Sequence, residues 1–221
     1  MQFGPREWIP EKAAFELYLD EILRHVQAAW RRHPDEILKE FFGFPIAARE
    51  HHICGLHHVA LYIGDYRADA EVERCLEFLK HSRSISDLES GPSYISPREY
   101  GTQGYWISCS LEGIPVELFC NRNSGPWRGY DQQFKIRRMS HFALSVTQAL
   151  HLLPLLTYFA HYPNVSILSY SKLDVLGHTY GHLLNHETSC VIELTHSQLP
   201  GIASRDAVDA GPRIGEGGPH G

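Results

Sequence analysis

The chain has 221 residues, 43% of them hydrophobic and 21% charged, which is enough for one large domain or two small ones around a real core. Its net charge is −6 and no cluster of Lys and Arg marks a basic face, which speaks against a dedicated nucleic-acid binder. No apolar run approaches the roughly 18 residues of a membrane span, and the opening "MQFGPREWIPEK" lacks the apolar core of a signal peptide.

Residues 11 to 32 predict an amphipathic helix, with Phe15, Leu19, Ile22, Val26 and Trp30 at three- and four-residue steps. Pro10 precedes it, and Arg31, Arg32 and His33 suit its C-terminal dipole. A short helix is expected from Pro34 to Phe42, with proline in its first turn. Residues 43 to 54 read as a linker.

From residue 55 the chain repeats itself. "LHHVALYI" reads as a strand and "AEVERCLEFLKHS" as a helix. Residues 84 to 104 are rich in turn formers, and "YWISCSLEGIPVELFC" is a hairpin turning near Glu112 and Gly113. The second copy runs through "MSHFALSV", "ALHLLPLLTYFAHYP", "NVSILSYSKLDVLGHTYGHLL" and "SCVIELTH". Each copy is strand, helix, then two or three strands. Pro154 belongs near the start of any helix that contains it. The segment "GPWRGYDQQF" reads as the connection between the copies. The expected organisation is a helical extension over 1–54, modules over 55–130 and 131–199, and a Gly- and Pro-rich disordered tail over 200–221.

Strand parity points to chemistry. His58, Ala60 and Tyr62 share one face of their strand, and Val59, Leu61 and Ile63 the other. His141, Ala143 and Ser145 likewise oppose Phe142, Leu144 and Val146. The closing strands repeat the pattern: Glu117 opposes Val116 and Leu118, and Glu193 opposes Ile192 and Leu194. A carboxylate inside a core strand is costly unless paired, hydrogen-bonded or metal-bound, and here it occurs twice, 59 residues after His58 and 52 after His141. His57 competes with His58, but parity places it among the apolar side chains. His58, Glu117, His141 and Glu193 thus form a candidate site for a divalent ion such as Fe²⁺, Ni²⁺, Zn²⁺ or Mn²⁺. Four ligands on an octahedral ion leave two adjacent positions for two substrate oxygens.

In "HTYGHLLNH", His178, His182 and His186 stand four apart. Gly177, Gly181 and the β-rich sequence that follows favour a strand lining a cavity over a helix binding zinc. His182 and Tyr180 become candidates to act as acid or base on a substrate. Arg122 and Arg128 read as solvated surface. The five cysteines are odd in number and widely spaced, with no C-x-x-C, which fits reduced thiols in the cytoplasm.

With these strands in hand, residues 55 to 198 resemble the vicinal oxygen chelate superfamily of glyoxalases, bleomycin-resistance proteins and extradiol dioxygenases. The resemblance implies an α+β fold of two βαβββ modules forming a curved, incomplete barrel around a metal. It also implies that the ligands come from the first and last strands of each module. The helices in front are similar to those of YecM-type proteins. The leading expectation is a metal-dependent enzyme that chelates a small, vicinally oxygenated substrate and performs isomerase, epimerase or lyase chemistry through a metal-stabilised enolate, with Glu193 or Glu117 carrying the proton. An Fe²⁺ dioxygenase using only His58, His141 and Glu193 is the alternative, and a non-catalytic binding protein the third reading. The partner is a small molecule, with room for a homodimer.

Overall fold

Two helices open the described part of the chain, α1 (Lys12–Trp30) and α2 (Pro34–Phe42). The computed structural model describes residues 12–171 and 178–197, so the expectation for the tail lies outside it. At the start of α2, His33 Nδ1 accepts the amide of Asp35 at 3.3 Å. Gly43, at φ 81°, ends the helix by returning its amide to the Lys39 carbonyl, a left-handed cap that suits glycine. A 3₁₀ turn (Ala48–His51) follows, and Asp35 accepts the Ala48 amide at 2.8 Å, tying the turn to α2.

The first repeat then runs through β1 (Ile53–Tyr66), α3 (Asp69–His81), β2 (Ile85–Pro92), α4 (Ile95–Tyr100), β3 (Gly104–Leu111) and β4 (Ile114–Arg122). A second 3₁₀ turn (Gly125–Gly129) and α5 (Gln132–Met139) lead into the second repeat. That repeat comprises β5 (His141–Val146), α6 (Ala149–Phe159), β6 (Val165–Ser171), β7 (His178–Asn185) and β8 (Val191–Ser197).

All eight strands form one open sheet in the order β2-β3-β4-β1-β5-β8-β7-β6. Within each repeat the last strand returns parallel to the first, β4 beside β1 and β8 beside β5. The remaining pairs are antiparallel, including the β1–β5 seam that joins the repeats. The fold is α+β: two βαβββ modules side by side in an unclosed sheet, preceded by helices.

Three expectations need correction. The turn-rich residues 84 to 104 contain a strand and a short helix. β2 carries Ser, Asp, Glu and Gly, buries almost nothing and is held by backbone pairing to β3, so its sequence lacks the apolar alternation of an inner strand. Pro154 lies at the sixth position of α6, well inside it. The carbonyl that loses its usual partner there belongs to Leu150, a residue 68% exposed. The connection between modules is also more than a linker, because it folds into α5.

The two sheet faces divide as parity requires. Val59, Leu61, Leu118, Leu144 and Leu194 join a single core with apolar residues of α1, α2, α3 and α6. Tyr18 of α1 donates its hydroxyl to the Ile63 carbonyl at 3.1 Å, and Asn185 of β7 donates to the Phe41 carbonyl of α2 at 2.7 Å. Gly181 is required by the close approach of α6, since a methyl group there would collide with Leu156.

The opposite, inner face is partly covered by a second cluster of Tyr62, Tyr100, Trp127, Ile136 and Met139. Asp65 fixes it. Its carboxylate accepts Tyr62 Oη, Trp127 Nε1 at 2.6 Å and Lys135 Nζ at 2.7 Å, and the ammonium lies 5.5 Å from the Trp127 ring centroid. Burial first, and then the charge of Asp65, push the Tyr62 hydroxyl far above its ordinary pKa.

Candidate metal centre

The centre is laid out by strand register. Ala60 pairs with Glu117 on β4 to one side and with His141 on β5 to the other. Ala143 pairs with His58 on β1 and with Glu193 on β8. The two alanines thus stand between the four larger side chains and leave space above the sheet. One ligand atom from each of His58, Glu117, His141 and Glu193 lies within 4.8 Å of every other.

Neighbouring strands stand about 4.8 Å apart, so β1 and β8, with β5 between them, are separated by about 9.6 Å at the backbone. Their side chains nevertheless bring His58 Nε2 to 3.6 Å from Glu193 Oε2. The side chains therefore lean toward one another from the strands that carry them. His141 Nε2 lies 3.4 Å and His182 Nε2 3.2 Å from the same oxygen. His58 Nε2 is 3.5 Å from Glu117 Oε2.

Each of these imidazoles is held at its other nitrogen. His141 Nδ1 lies 3.1 Å from the Met139 carbonyl, His182 Nδ1 2.7 Å from Ser169 Oγ, and His58 Nδ1 3.0 Å from His57 Nδ1. A nitrogen engaged from behind fixes the ring and directs Nε2 at the centre. The position of His57 corrects the parity expectation. The β1–β5 register slips between Leu56 and His58, so His57 is the extra residue of a bulge and sits against His58. Bulges re-aim side chains in this way, and an alternation pattern gives no sign of them.

Glu193 is 5% exposed. Burial alone would raise its carboxyl pKa. The charge of His58 and the hydrogen bonds of His141 and His182 overcome that and hold it well below the ordinary carboxylate range. Glu117 is more open, its side chain 28% exposed. Tyr180, half-buried on β7, turns its ring edge-on to His182 with centroids 5.7 Å apart and borders the centre. The strand reading of "HTYGHLLNH" holds for β7. His186 lies just past the strand, exposed, with Nε2 2.8 Å from Ser166 Oγ, and stands apart from the centre. Arg122 and Arg128 also stay outside, bonded to Gln103 and the Asn123 carbonyl.

Sequence reading missed Ser169, the placement of His57 and the Asp65–Lys135 clamp, whose residues have no local pattern that joins them. A cavity of about 240 Å³ lies elsewhere, between α1, α2 and the start of β1. It contains none of these donors, so its size does not mark the chemistry. Imidazole nitrogens and carboxylate oxygens, converging and buried, fit a first-row divalent ion.

No protein-family profile matches the chain, and no curated protein matches it. Among solved structures it is similar to methylmalonyl-CoA epimerase from Mycobacterium tuberculosis, with 12% identity over 67% of this chain and 91% of that one and a TM-score of 0.41. It is similar to a methylmalonyl-CoA epimerase from Streptomyces coelicolor in complex with 2-nitronate-propionyl-CoA, with 12% identity, 66% and 99% coverage and a TM-score of 0.39. A mutant 4-hydroxymandelate synthase from Streptomyces coelicolor matches with 14% identity over 69% of this chain and 51% of that one, with a TM-score of 0.40. Similarity at this level says nothing about activity, and the functional reading rests on the side chains.

Proposed function

We propose that the chain is a metal-dependent enzyme of the vicinal oxygen chelate type, acting on a small substrate with two neighbouring oxygens by isomerase, epimerase or lyase chemistry. The observation that carries this reading is the convergence of His58 and Glu117 from one module with His141 and Glu193 from the other, at matched strand positions. A divalent ion held there would supply Lewis acidity toward a developing oxyanion.

The remaining tasks fall to the chain. His58 and His141, locked from behind, would hold an ion without reorganisation. Glu193, an anion kept buried by imidazoles, supplies negative charge in a dry site. Glu117 is the carboxylate that a substrate can reach, and it would move the proton on the carbon beside the substrate's carbonyl. His182 and Tyr180 line the opposite side, where either can hydrogen-bond a substrate oxygen. The cluster around Trp127 packs against Tyr62 on the inner face, and Glu117, the more exposed of the two carboxylates, marks the side a substrate reaches. Five free thiols suit a reducing cytoplasm.

One observation favours a second reading. Glu193 Oε2 lies within 3.6 Å of three imidazoles and is buried, whereas Glu117 is the more exposed carboxylate. A set of His58, His141 and Glu193 alone is that of an Fe²⁺ dioxygenase. Incubation of metal-loaded protein in D₂O with a panel of 2-oxo, 2-hydroxy and catecholic compounds separates the two. Deuterium appearing beside the carbonyl by NMR supports the first reading. Substrate-dependent oxygen uptake supports the second. Metal bound with neither reaction contradicts both and leaves a binding protein.

A further inference from the structure

The two ends of the strand run β4-β1-β5-β8-β7 reach the centre from opposite sides, Glu117 from one and His182 from the other. We infer that His182 is a metal ligand, so that three imidazoles and Glu193 hold the ion and Glu117 is left as the mobile carboxylate. The inference rests on the metal-dependent reading above and changes which residues bind.

A single oxygen, Glu193 Oε2, is surrounded by three imidazole Nε2 atoms. His182 is nearest at 3.2 Å, followed by His141 at 3.4 Å and His58 at 3.6 Å. The rings are equivalent in preparation as well as in distance. The Met139 carbonyl can only accept, so His141 carries a proton on Nδ1, and with an ion bound its Nε2 would turn a lone pair inward in place of the proton it shares with Glu193. Ser169 Oγ, 2.7 Å from His182 Nδ1, can impose the same tautomer. His182 is 6% exposed, as buried as His58 at 6% and His141 at 5%. An imidazole that exchanges protons with solvent during turnover gains nothing from such burial, whereas a ligand does.

The register shows that this is an addition to the repeated pattern. On β7, His182 pairs with Glu193, and at the equivalent place on β3, Ser108 pairs with Glu117. The second module therefore brings a nitrogen to its carboxylate at the place where the first brings a serine. Glu117 is 28% exposed, with Oε2 3.5 Å from His58 Nε2. Exchanging Glu117 for His182 keeps the donor count at four and keeps two positions open for a chelating substrate.

The test counts nitrogens directly. Chelator-stripped full-length protein is loaded with one equivalent of Cu²⁺, and the nitrogen hyperfine pattern is read by electron paramagnetic resonance. Zn²⁺ affinity is measured in parallel by competition with a chromophoric chelator. Three imidazole nitrogens are expected in the unsubstituted chain and two in His182→Gln, with Zn²⁺ affinity falling by more than the roughly 10–100-fold that follows loss of an outer partner. Glu117→Gln keeps three nitrogens and nearly full affinity. Ser169→Ala, which removes only the support behind His182, keeps three nitrogens but weakens binding by about 10–100-fold, which covers the case of a misfolded His182→Gln. Two nitrogens in the unsubstituted chain, or an unchanged count in folded His182→Gln, overturns the inference and restores Glu117 as the fourth ligand. Failure of the unsubstituted chain to bind either ion overturns the metal reading itself, and this inference with it.

Discussion

In the second module, Glu193 lies among three imidazoles and is 5% exposed. In the first, Glu117 holds the matching strand position, yet its side chain is 28% exposed. The backbones are equivalent, with each glutamate one strand away from an alanine of the module's first strand. The difference comes from the next strand out, where Ser108 stands in one module and His182 in the other. A repeated fold sets where a side chain starts, and its neighbours decide whether it is a buried anion or a reachable base. The inner surfaces diverge in the same way. The first module's carries aromatic side chains around Asp65 beyond Tyr62, while the second places Ser169, Thr195 and Tyr180 beside the centre.

The largest expected effect separates the two glutamates. Glu193→Gln removes the buried charge, and metal affinity measured by competition should fall by at least about 100-fold, more than an outer-partner change produces. Glu117→Gln should barely alter affinity but should abolish proton exchange on substrate. Equal losses of affinity would mean that the modules contribute alike.

Next in size is the aromatic seal. Trp127 is fully buried and donates to Asp65. Trp127→Ala should cost about 3–5 kcal/mol in urea unfolding of the metal-free chain. Metal affinity should change little, because the seal lies beyond Tyr62. A stability change below about 1 kcal/mol would show that the cluster is not part of the folded core.

The fold and half of the centre were legible in the sequence for one reason. A strand alternates with period two, so His58, His141, Glu117 and Glu193 announce themselves as polar residues opposite apolar ones. The second module's extra nitrogen could be read only as a cavity-lining acid or base and not as a ligand, because the pairing of His182 with Glu193 depends on register across a hairpin. His57 was misplaced because a bulge breaks the alternation on which parity relies. β2 was missed because an edge strand held by backbone bonds needs no apolar pattern, and the Asp65–Lys135 clamp spans 70 positions.

A smaller effect concerns acid. The Glu193 carboxyl titrates lower in the folded chain than in the unfolded one. Its contribution to stability is therefore present above the unfolded value, about 4.3, and is lost as pH falls through the folded value. The metal-free protein should lose stability more steeply below pH about 4 than its Glu193→Gln variant, as followed by circular dichroism. Identical acid slopes would contradict the buried-anion account.

The smallest effect is on thiol reactivity. Burial pushes the Cys75 and Cys109 thiols up to about 12, and Cys120 well above its ordinary value. Cys54 and Cys190 are only half-buried. A disulfide reagent at pH 8 should label those two first, and the other three only on unfolding. Early labelling of Cys109, which borders Glu117 in the first module, would mean that this module is looser than its packing indicates.

The central claim is that residues from both modules converge to bind one ion. Chelator-stripped protein, handled without oxygen, is titrated with Fe²⁺ beside His141→Ala. One ion per chain is expected for the unsubstituted protein. A sharp fall is expected in the variant, with unchanged far-ultraviolet circular dichroism because Phe142, Leu144 and Val146 still pack the outer face. Full occupancy in His141→Ala would contradict the account and make His141 a core histidine held by the Met139 carbonyl.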